Sequence, residues 1–129
     1  MKSHRILQLN AASTAACGLV MLATRRFLPS FFGLETPLLL DVTAIAFLAY
    51  AGALAVVAQR QPVSRGALMT FTAADAAWVV ASAVLLIAFW TQLTSVGRFL
   101  VIAVALVVEV FATLQFRAAR RVTGPAQVA

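Results

Sequence analysis

Two acidic residues lie inside long apolar stretches of this chain, where charged residues are rare. Asp75 follows Arg65 by ten residues, and Glu109 precedes Arg117 by eight. On helices that rise 1.5 Å per residue, the two acids lie roughly 15 Å and 12 Å from the same end of the molecule. An ionised carboxylate at that depth in a membrane is costly, so we expect each to be protonated, hydrogen-bonded, or facing water or a cation.

Polar and aromatic residues recur on the helix faces that carry these acids. Trp78 and Ser82 share a face with Asp75, and Thr113 shares one with Glu109. If the faces converge, they form a polar pocket in which two carboxyls could share a proton and titrate near neutrality, as proton-coupled transport requires. The candidate site consists of Asp75, Glu109, Asn10, Ser82, Trp78 and Thr113.

A structural interpretation of the same residues stays open. Asn, Thr and Ser side chains often join membrane helices by hydrogen bonds worth about 0.6 kcal/mol each, with no part in transport. Thr14 lies on the polar side of the first apolar run, and Gln115 lies near the end of the last. Either residue could line the pocket or form a hydrogen bond between two helices.

The elements that must position these residues are four apolar runs, at 6–24, 38–58, 66–90 and 99–116. Each has the length that an α-helix needs to cross a hydrocarbon layer of about 30 Å. Of the 129 residues, 63% are hydrophobic and 11% charged, against about 25% charged in soluble domains. The sequence predicts an all-α bundle of four transmembrane helices, a single integral membrane domain over residues 1–129.

The distribution of positive charge predicts the topology. With a cytoplasmic N-terminus, seven Lys and Arg residues lie on the cytoplasmic side and three outside, as the positive-inside rule expects. We therefore predict that both termini are cytoplasmic. Asp41 would lie near the outer end of the second span, where it is expected to cap its helix or to pair with Arg25, Arg26 or Arg98.

Several function classes are disfavoured. The net charge of +6 arises from cations at the ends of apolar runs, which is typical of membrane proteins and not of nucleic-acid binding. His4, the single histidine, lies in the basic N-terminal segment, so we expect no metal site, no haem and no catalytic triad. No cofactor motif is present. We expect no enzymatic activity from this chain alone.

Small residues predict where helices pack. Ala73, Ala77 and Ala81 form a ladder on the third span, and such ladders let helix backbones approach closely in lipid. A bias of composition towards alanine is the alternative explanation.

A faint internal repeat accompanies these ladders. A shift of 65 residues places Asn10 on Asp75 and Cys17 on Ser82, which would give two halves in the same membrane orientation. The second and fourth spans do not align clearly. Duplication and a chance similarity of alanine-rich helices are therefore both open.

The arrangement of motifs resembles small four-span inner-membrane proteins of bacteria, most of them uncharacterised. The similarity rests on Gly18, on the segment Asp75-x-x-Trp78-x-x-x-Ser82, and on Gln115 before the arginine-rich end. The resemblance covers the whole chain. It implies a multi-pass protein in the inner (plasma) membrane of a bacterium, and it implies no activity. The small multidrug-resistance transporters have the same size and span count, but their essential glutamate lies in the first helix. Here that helix has Asn10 and no acid.

Two functions remain from the sequence. The first is an accessory or interaction subunit that binds itself or a larger membrane protein in the bilayer, as its small-residue faces and short loops indicate. The second is a small oligomeric proton-coupled transporter or channel that uses Asp75 and Glu109. Lipid or quinone binding against Trp78 is a third idea that no residue specifies.

Overall fold

The computed structural model of the chain describes residues 2–60 and 62–122, which form helices and the connections between them, with no strand in those ranges. Four long helices are joined by short connections, and one short helix lies between the first two. The helices are α1 (Ser3–Ala23), α2 (Leu28–Phe31), α3 (Leu38–Gln59), α4 (Arg65–Ala88) and α5 (Ser95–Arg121). The four long helices are long and apolar enough to cross a membrane. The prediction of an all-helical bundle with four spans is confirmed.

Hydroxyl side chains define where the last two helices begin. Ser64 accepts a hydrogen bond from the backbone N–H of Ala67 at 3.0 Å, and Thr94 accepts one from Gly97 at 3.1 Å. Each bond satisfies one N–H that the first helical turn leaves free. α5 therefore begins at Ser95, before the apolar run at 99–116, and it continues through the basic segment to Arg121.

The four long helices form two hairpins. α1 packs along α3, which we term the first hairpin, and α4 packs along α5, the second hairpin. The hairpins meet in an apolar cluster at the end of the molecule where α1 begins and α5 ends, which we call the termini end. Its buried members are Ile6, Leu7, Ala11, Leu54, Ala58, Val63, Leu68, Phe71, Ala118 and Ala119. Packing of large side chains against alanines brings all four helices close together there.

The opposite end, the loop end, is held by α2 and the start of α5. Thr94 donates hydrogen bonds from its hydroxyl and its backbone N–H to the carbonyl oxygen of Phe31, at 2.6 and 3.3 Å. Gly97 is buried at the same contact, and a Cβ on it would overlap that carbonyl oxygen. A glycine is therefore needed for α2 to lie this close to α5.

An exposed ion pair joins the segment after α1 to the first turn of α3. The Arg25 guanidinium donates to the Asp41 carboxylate, with the shortest distance 2.7 Å from Nη2 to Oδ2. The hydrogen bond and the charge of Asp41 raise the pKa of Arg25. The predicted pairing of Asp41 is thus confirmed, with Arg25 as its partner. Arg98 instead donates to the carbonyl oxygen of Trp90 and lies 4.2 Å from the centre of that ring.

The alanine ladder on α4 does not pack within the chain. Ala73, Ala77 and Ala81 are all exposed, so the prediction that they bring helices of one molecule together is wrong. Close approach occurs elsewhere: a Cβ on Gly18 of α1 would lie 3.0 Å from the carbonyl oxygen of Ala44 on α3. Helical spacing shows which alanines share a face, but not which face turns inward.

Replacement of Gly97 by alanine tests the loop-end contact. The added Cβ has no room, so we expect Gly97→Ala to lower the free energy of unfolding by about 1–3 kcal/mol, as overpacked sites do. Gly52→Ala is the matched control. A Cβ there meets no atom within 4 Å among the described residues beyond the adjacent residues and backbone of its own helix, and alanine favours a helix over glycine by about 0.5–1 kcal/mol. Unfolding of both variants in detergent gives the comparison. Equal stability would contradict the close packing of α2 on α5.

Candidate functional site

The candidate site is centred on the carboxylate of Asp75, which accepts three hydrogen bonds. The Asn10 side-chain N–H donates to Oδ2 at 3.0 Å, and the Gln115 side-chain N–H donates to the same oxygen at 2.9 Å. The Tyr50 hydroxyl donates to Oδ1 at 2.7 Å. All three donors are neutral. They can stabilise a negative charge without forming an ion pair.

Each member of this group comes from a different helix. Asn10 lies on α1, Tyr50 on α3, Asp75 on α4 and Gln115 on α5. We call these four residues the carboxylate cluster. Gln115 is 0% exposed, Asn10 3% and Asp75 4%. The cluster lies beside the apolar contacts at the termini end, since Phe71, one turn before Asp75, belongs to them.

Hydrogen bonds among the donors fix their orientation. Asn10 also donates to the side-chain oxygen of Gln115 at 2.8 Å, and its own side-chain oxygen accepts from the Thr14 hydroxyl at 3.1 Å. The two amides therefore present their N–H groups to Asp75. A network in which every buried polar atom has a partner rigidifies the helices that carry it.

The carboxylate cluster adjoins a cavity of about 730 Å³ between the two hairpins. Asp75, Tyr50 and Asn10 belong to its wall, which is otherwise mostly aliphatic and aromatic. The other lining residues are Ser13, Thr14, Cys17, Val42, Thr43, Ala46, Phe47, Ala74, Trp78, Ala103, Val104, Val107, Val108 and Phe111. Binding sites for small molecules are typically clefts of this size, apolar with a few polar groups.

The two α4 residues predicted to accompany Asp75 have different surroundings. Trp78 lines the cavity, and its ring packs edge-to-face against Phe47 with the centroids 4.9 Å apart. Its indole N–H is buried and has no hydrogen-bond partner among the described residues. Ser82 is buried and donates its hydroxyl hydrogen to the carbonyl oxygen of Trp78 at 2.8 Å. Ser82 thus bonds within its own helix, not to the cluster.

Glu109 and Thr113 are not part of the cluster, because both are exposed on the outside of α5. At 100° per residue, Glu109 lies about 120° and Thr113 about 160° around the helix from Gln115. When Gln115 turns inward to Asp75, these two residues must turn outward. The pocket with two carboxyls expected from the sequence is corrected to a pocket with one.

The sequence reasoning missed Tyr50. It lies in an almost wholly apolar run, and a tyrosine there counts as one more aromatic. The signal that could have drawn attention to it is the hydroxyl itself, because a phenol in a membrane span needs a hydrogen-bond partner. Here the hydroxyl oxygen lies 2.7 Å from Oδ1 of Asp75 and 3.3 Å from the carbonyl oxygen of Phe71.

The spacing of the internal repeat recurs among the residues of this site. The shift of 65 residues that relates Asn10 to Asp75 also relates Tyr50 to Gln115. The carboxylate cluster therefore contains two pairs of residues with the same separation in sequence. That the two hairpins are related halves in the same orientation stays a prediction.

Comparison of the chain with protein-family models, with curated proteins and with solved structures finds no match.

Removal of one amide donor tests how much the carboxylate cluster contributes to stability. Gln115→Leu removes one buried hydrogen-bond partner from Asp75 and one from Asn10, so we expect a loss of about 1–3 kcal/mol in the free energy of unfolding. Gln8→Leu is the control, since Gln8 is exposed on α1. Unfolding in detergent measures both. A Gln115→Leu variant as stable as its control would mean that the amide does not hold the cluster together.

Proposed function

We propose that this protein is a small proton-coupled transporter and that Asp75 is the group that takes up and releases the proton. The observation that carries the proposal is the Asp75 carboxylate itself. It is buried among four apolar spans and lines a cavity large enough for a small solute. Its hydrogen-bond donors in the part of the chain that the structure describes are all neutral. Acidic residues inside membrane domains commonly mark proton or substrate pathways.

The geometry around Tyr50 supports a reversible proton at Asp75. With Asp75 ionised, the Tyr50 hydroxyl donates to Oδ1. With a proton on Oδ1, Asp75 donates that proton to the Tyr50 oxygen, and the Tyr50 hydroxyl turns to the carbonyl oxygen of Phe71, 3.3 Å away. Both protonation states then keep their hydrogen bonds, because one hydroxyl rotates and no heavy atom moves.

Within residues 2–60 and 62–122, the side chains that hydrogen-bond Asp75 carry no charge. Three side chains donate hydrogen bonds to Asp75. Asn10 on α1 and Gln115 on α5 are amides, which do not titrate. The third, Tyr50 on α3, is a neutral phenol. Protonation thus changes the net charge of the carboxylate cluster from minus one to zero. A change of one charge in an apolar bundle alters how favourably the two hairpins pack around it.

The two-hairpin architecture supports alternating access. Each hairpin packs closely within itself, and the cavity lies between them. In transporters built from repeats, one repeat moves against the other around a site at their interface. The equivalent positions of Asn10 and Asp75 suit such a movement. The cytoplasmic location of the termini in the inner membrane remains part of this proposal.

Labelling of Cys17 tests the proposal without knowledge of the solute. Cys17 is the one cysteine of the chain and lines the cavity, so a membrane-impermeant maleimide reports opening. Maleimide reacts with the thiolate, so the labelling rate of any cysteine rises with pH. After correction for this rise, we expect the labelling rate of the wild-type protein in liposomes to change with pH by about a further tenfold, which is about 1.4 kcal/mol. In Asp75→Asn, only the thiolate dependence should remain.

Glu109→Gln serves as the matched control, because Glu109 lies on the outside of α5. It should keep the wild-type pH profile of Cys17 labelling. Identical profiles for the wild type and Asp75→Asn would show that protonation of Asp75 does not govern opening, and the proposal would fail.

A second candidate, an accessory or interaction subunit, is favoured by the outer surface. The exposed ladder Ala73, Ala77 and Ala81 on α4 offers a flat face to another helix, and the exposed Glu109 places a carboxyl on the outside of α5. Small residues favour close helix contacts between chains as well as within them. The partner would be a second copy or a larger membrane protein.

Native mass spectrometry in mild detergent separates the two candidates. For an interaction subunit, we expect Ala77→Leu and Ala81→Leu to abolish the assembly, because the added side chains hold the partner helix away. Val56→Leu, an exposed change on α3, and Asp75→Asn should preserve it. Assembly that survives in both alanine variants would argue against this candidate.

A further inference from the structure

We propose that the cavity beside Asp75 takes a lipophilic cation, a solute with one protonated amine on an apolar and partly aromatic body. This inference rests on the proposed function, since it makes Asp75 the group that the solute and the proton share. It goes further by naming the chemical class of the solute.

The charge of the cavity wall selects the sign of the solute. Asp75 is the one acidic residue among the described residues that line the cavity, and no Lys, Arg or His is among them. An anion would meet a carboxylate and no compensating cation, whereas a cation would complete an ion pair that the chain leaves open. In an apolar site, where water does not screen the charges, this difference is large.

The hydrogen bonds at Asp75 leave a place for the ammonium group. Oδ2 already accepts from Asn10 and from Gln115, while Oδ1 accepts from Tyr50 alone. A carboxylate oxygen has two lone-pair sites, so Oδ1 retains one acceptor position. An ammonium N–H from the cavity can therefore bind Oδ1 without displacing a side chain.

The remainder of the wall suits an apolar body. Four aromatic residues line the cavity, and Tyr50 and Trp78 come from helices on either side of it. The four are Phe47, Tyr50, Trp78 and Phe111. Aromatic faces attract cations within about 6 Å of the ring centre, and they pack well against other rings. A volume of about 730 Å³ is ample for one ring and a short chain.

Exchange with a proton follows from the same atom. The proton on Oδ1 and the ammonium group compete for one carboxylate charge, so the binding of one requires release of the other. The balance is one positive charge for another, and no further reactant takes part. Such competition is the simplest coupling of solute and proton movement.

Three probes of the same shape and different charge test the class of solute. Phenylpropylamine carries a positive charge at neutral pH, phenylpropanol none, and phenylpropanoic acid a negative one. The chain has two tryptophans, so Trp90→Phe leaves Trp78 in the cavity as the fluorescent reporter. Trp78→Phe, which retains Trp90, is the control for probe that merely dissolves in the detergent or lipid.

We expect the amine to bind at least about tenfold more tightly than the alcohol, or about 1.4 kcal/mol, and the acid to show no binding. Asp75→Asn should reduce the affinity for the amine to that for the alcohol, while Glu109→Gln should not. The amine should also slow maleimide labelling of Cys17 in the wild-type chain, a measurement that needs no tryptophan variant.

Equal binding of amine and alcohol would overturn the inference and identify the cavity as a site for neutral apolar molecules, such as a lipid chain. Absence of binding by all three probes in both measurements would overturn it as well. In either case, a pH-dependent Cys17 profile that Asp75→Asn removes would leave the proton-coupled function standing. If Cys17 labelling also lacked a pH dependence that Asp75→Asn removes, both the lipophilic-cation inference and the proton-coupled function would be overturned.

Discussion

The arrangement of this molecule depends on one carboxylate that must be kept in an apolar bundle without a cation beside it. A charged group away from water is costly unless hydrogen bonds replace its hydration. No single helix supplies enough donors at one depth, so Asp75 draws one from each of the other three spans. These hydrogen bonds constrain how each of the four helices is rotated about its axis and how far it is shifted along that axis, because their donors and acceptors must meet at one depth. The large side chains and alanines beside it then complete the contact at the termini end.

The two ends of the bundle are held by different kinds of interaction. At the termini end, the contact is apolar and extends over all four spans. At the loop end, the contact between α2 and the start of α5 consists of two hydrogen bonds from Thr94 to the Phe31 carbonyl oxygen and the close approach of Gly97 to the same oxygen. The cavity lies between hairpins that are close-packed within themselves. Small adjustments between hairpins therefore disturb fewer contacts than any change within one.

Much of the fold follows from hydropathy alone. Four apolar runs of spanning length leave few alternatives to a helical membrane bundle, and the connections are too short for anything but neighbouring antiparallel helices. The helix ends were less certain, because α5 is extended by a threonine cap at one end and continues into a basic segment at the other. Hydropathy does not register either effect.

The site was only partly predictable, for a geometric reason. Periodicity fixes the angles between residues on one helix, but the rotation of the whole helix depends on its neighbours. Asp75 and Glu109 therefore looked equivalent, and the inward turn of Gln115 separates them. Asn10 was recognisable as an amide in a span. Tyr50 was not, since its role comes from one hydroxyl on a ring that any apolar span could contain.

If the two hairpins descend from one two-span chain, the composition of the carboxylate cluster shows what their fusion would have made possible. Two identical two-span chains meeting about a symmetry axis would carry the same residue at the positions of Asn10 and Asp75, and so either two repelling acids or two uncharged amides. One continuous chain escapes that restriction and can place a donor opposite an acceptor. The division is also unequal: Asn10 and Tyr50 belong to the first hairpin, while Gln115 shares the second with Asp75. If the hairpins separated, Asp75 would lose the two donors of the first hairpin and keep only Gln115. An ionised Asp75 would therefore stabilise the arrangement in which the hairpins are in contact. Separated hairpins would instead favour an Asp75 that a proton or a cation has neutralised.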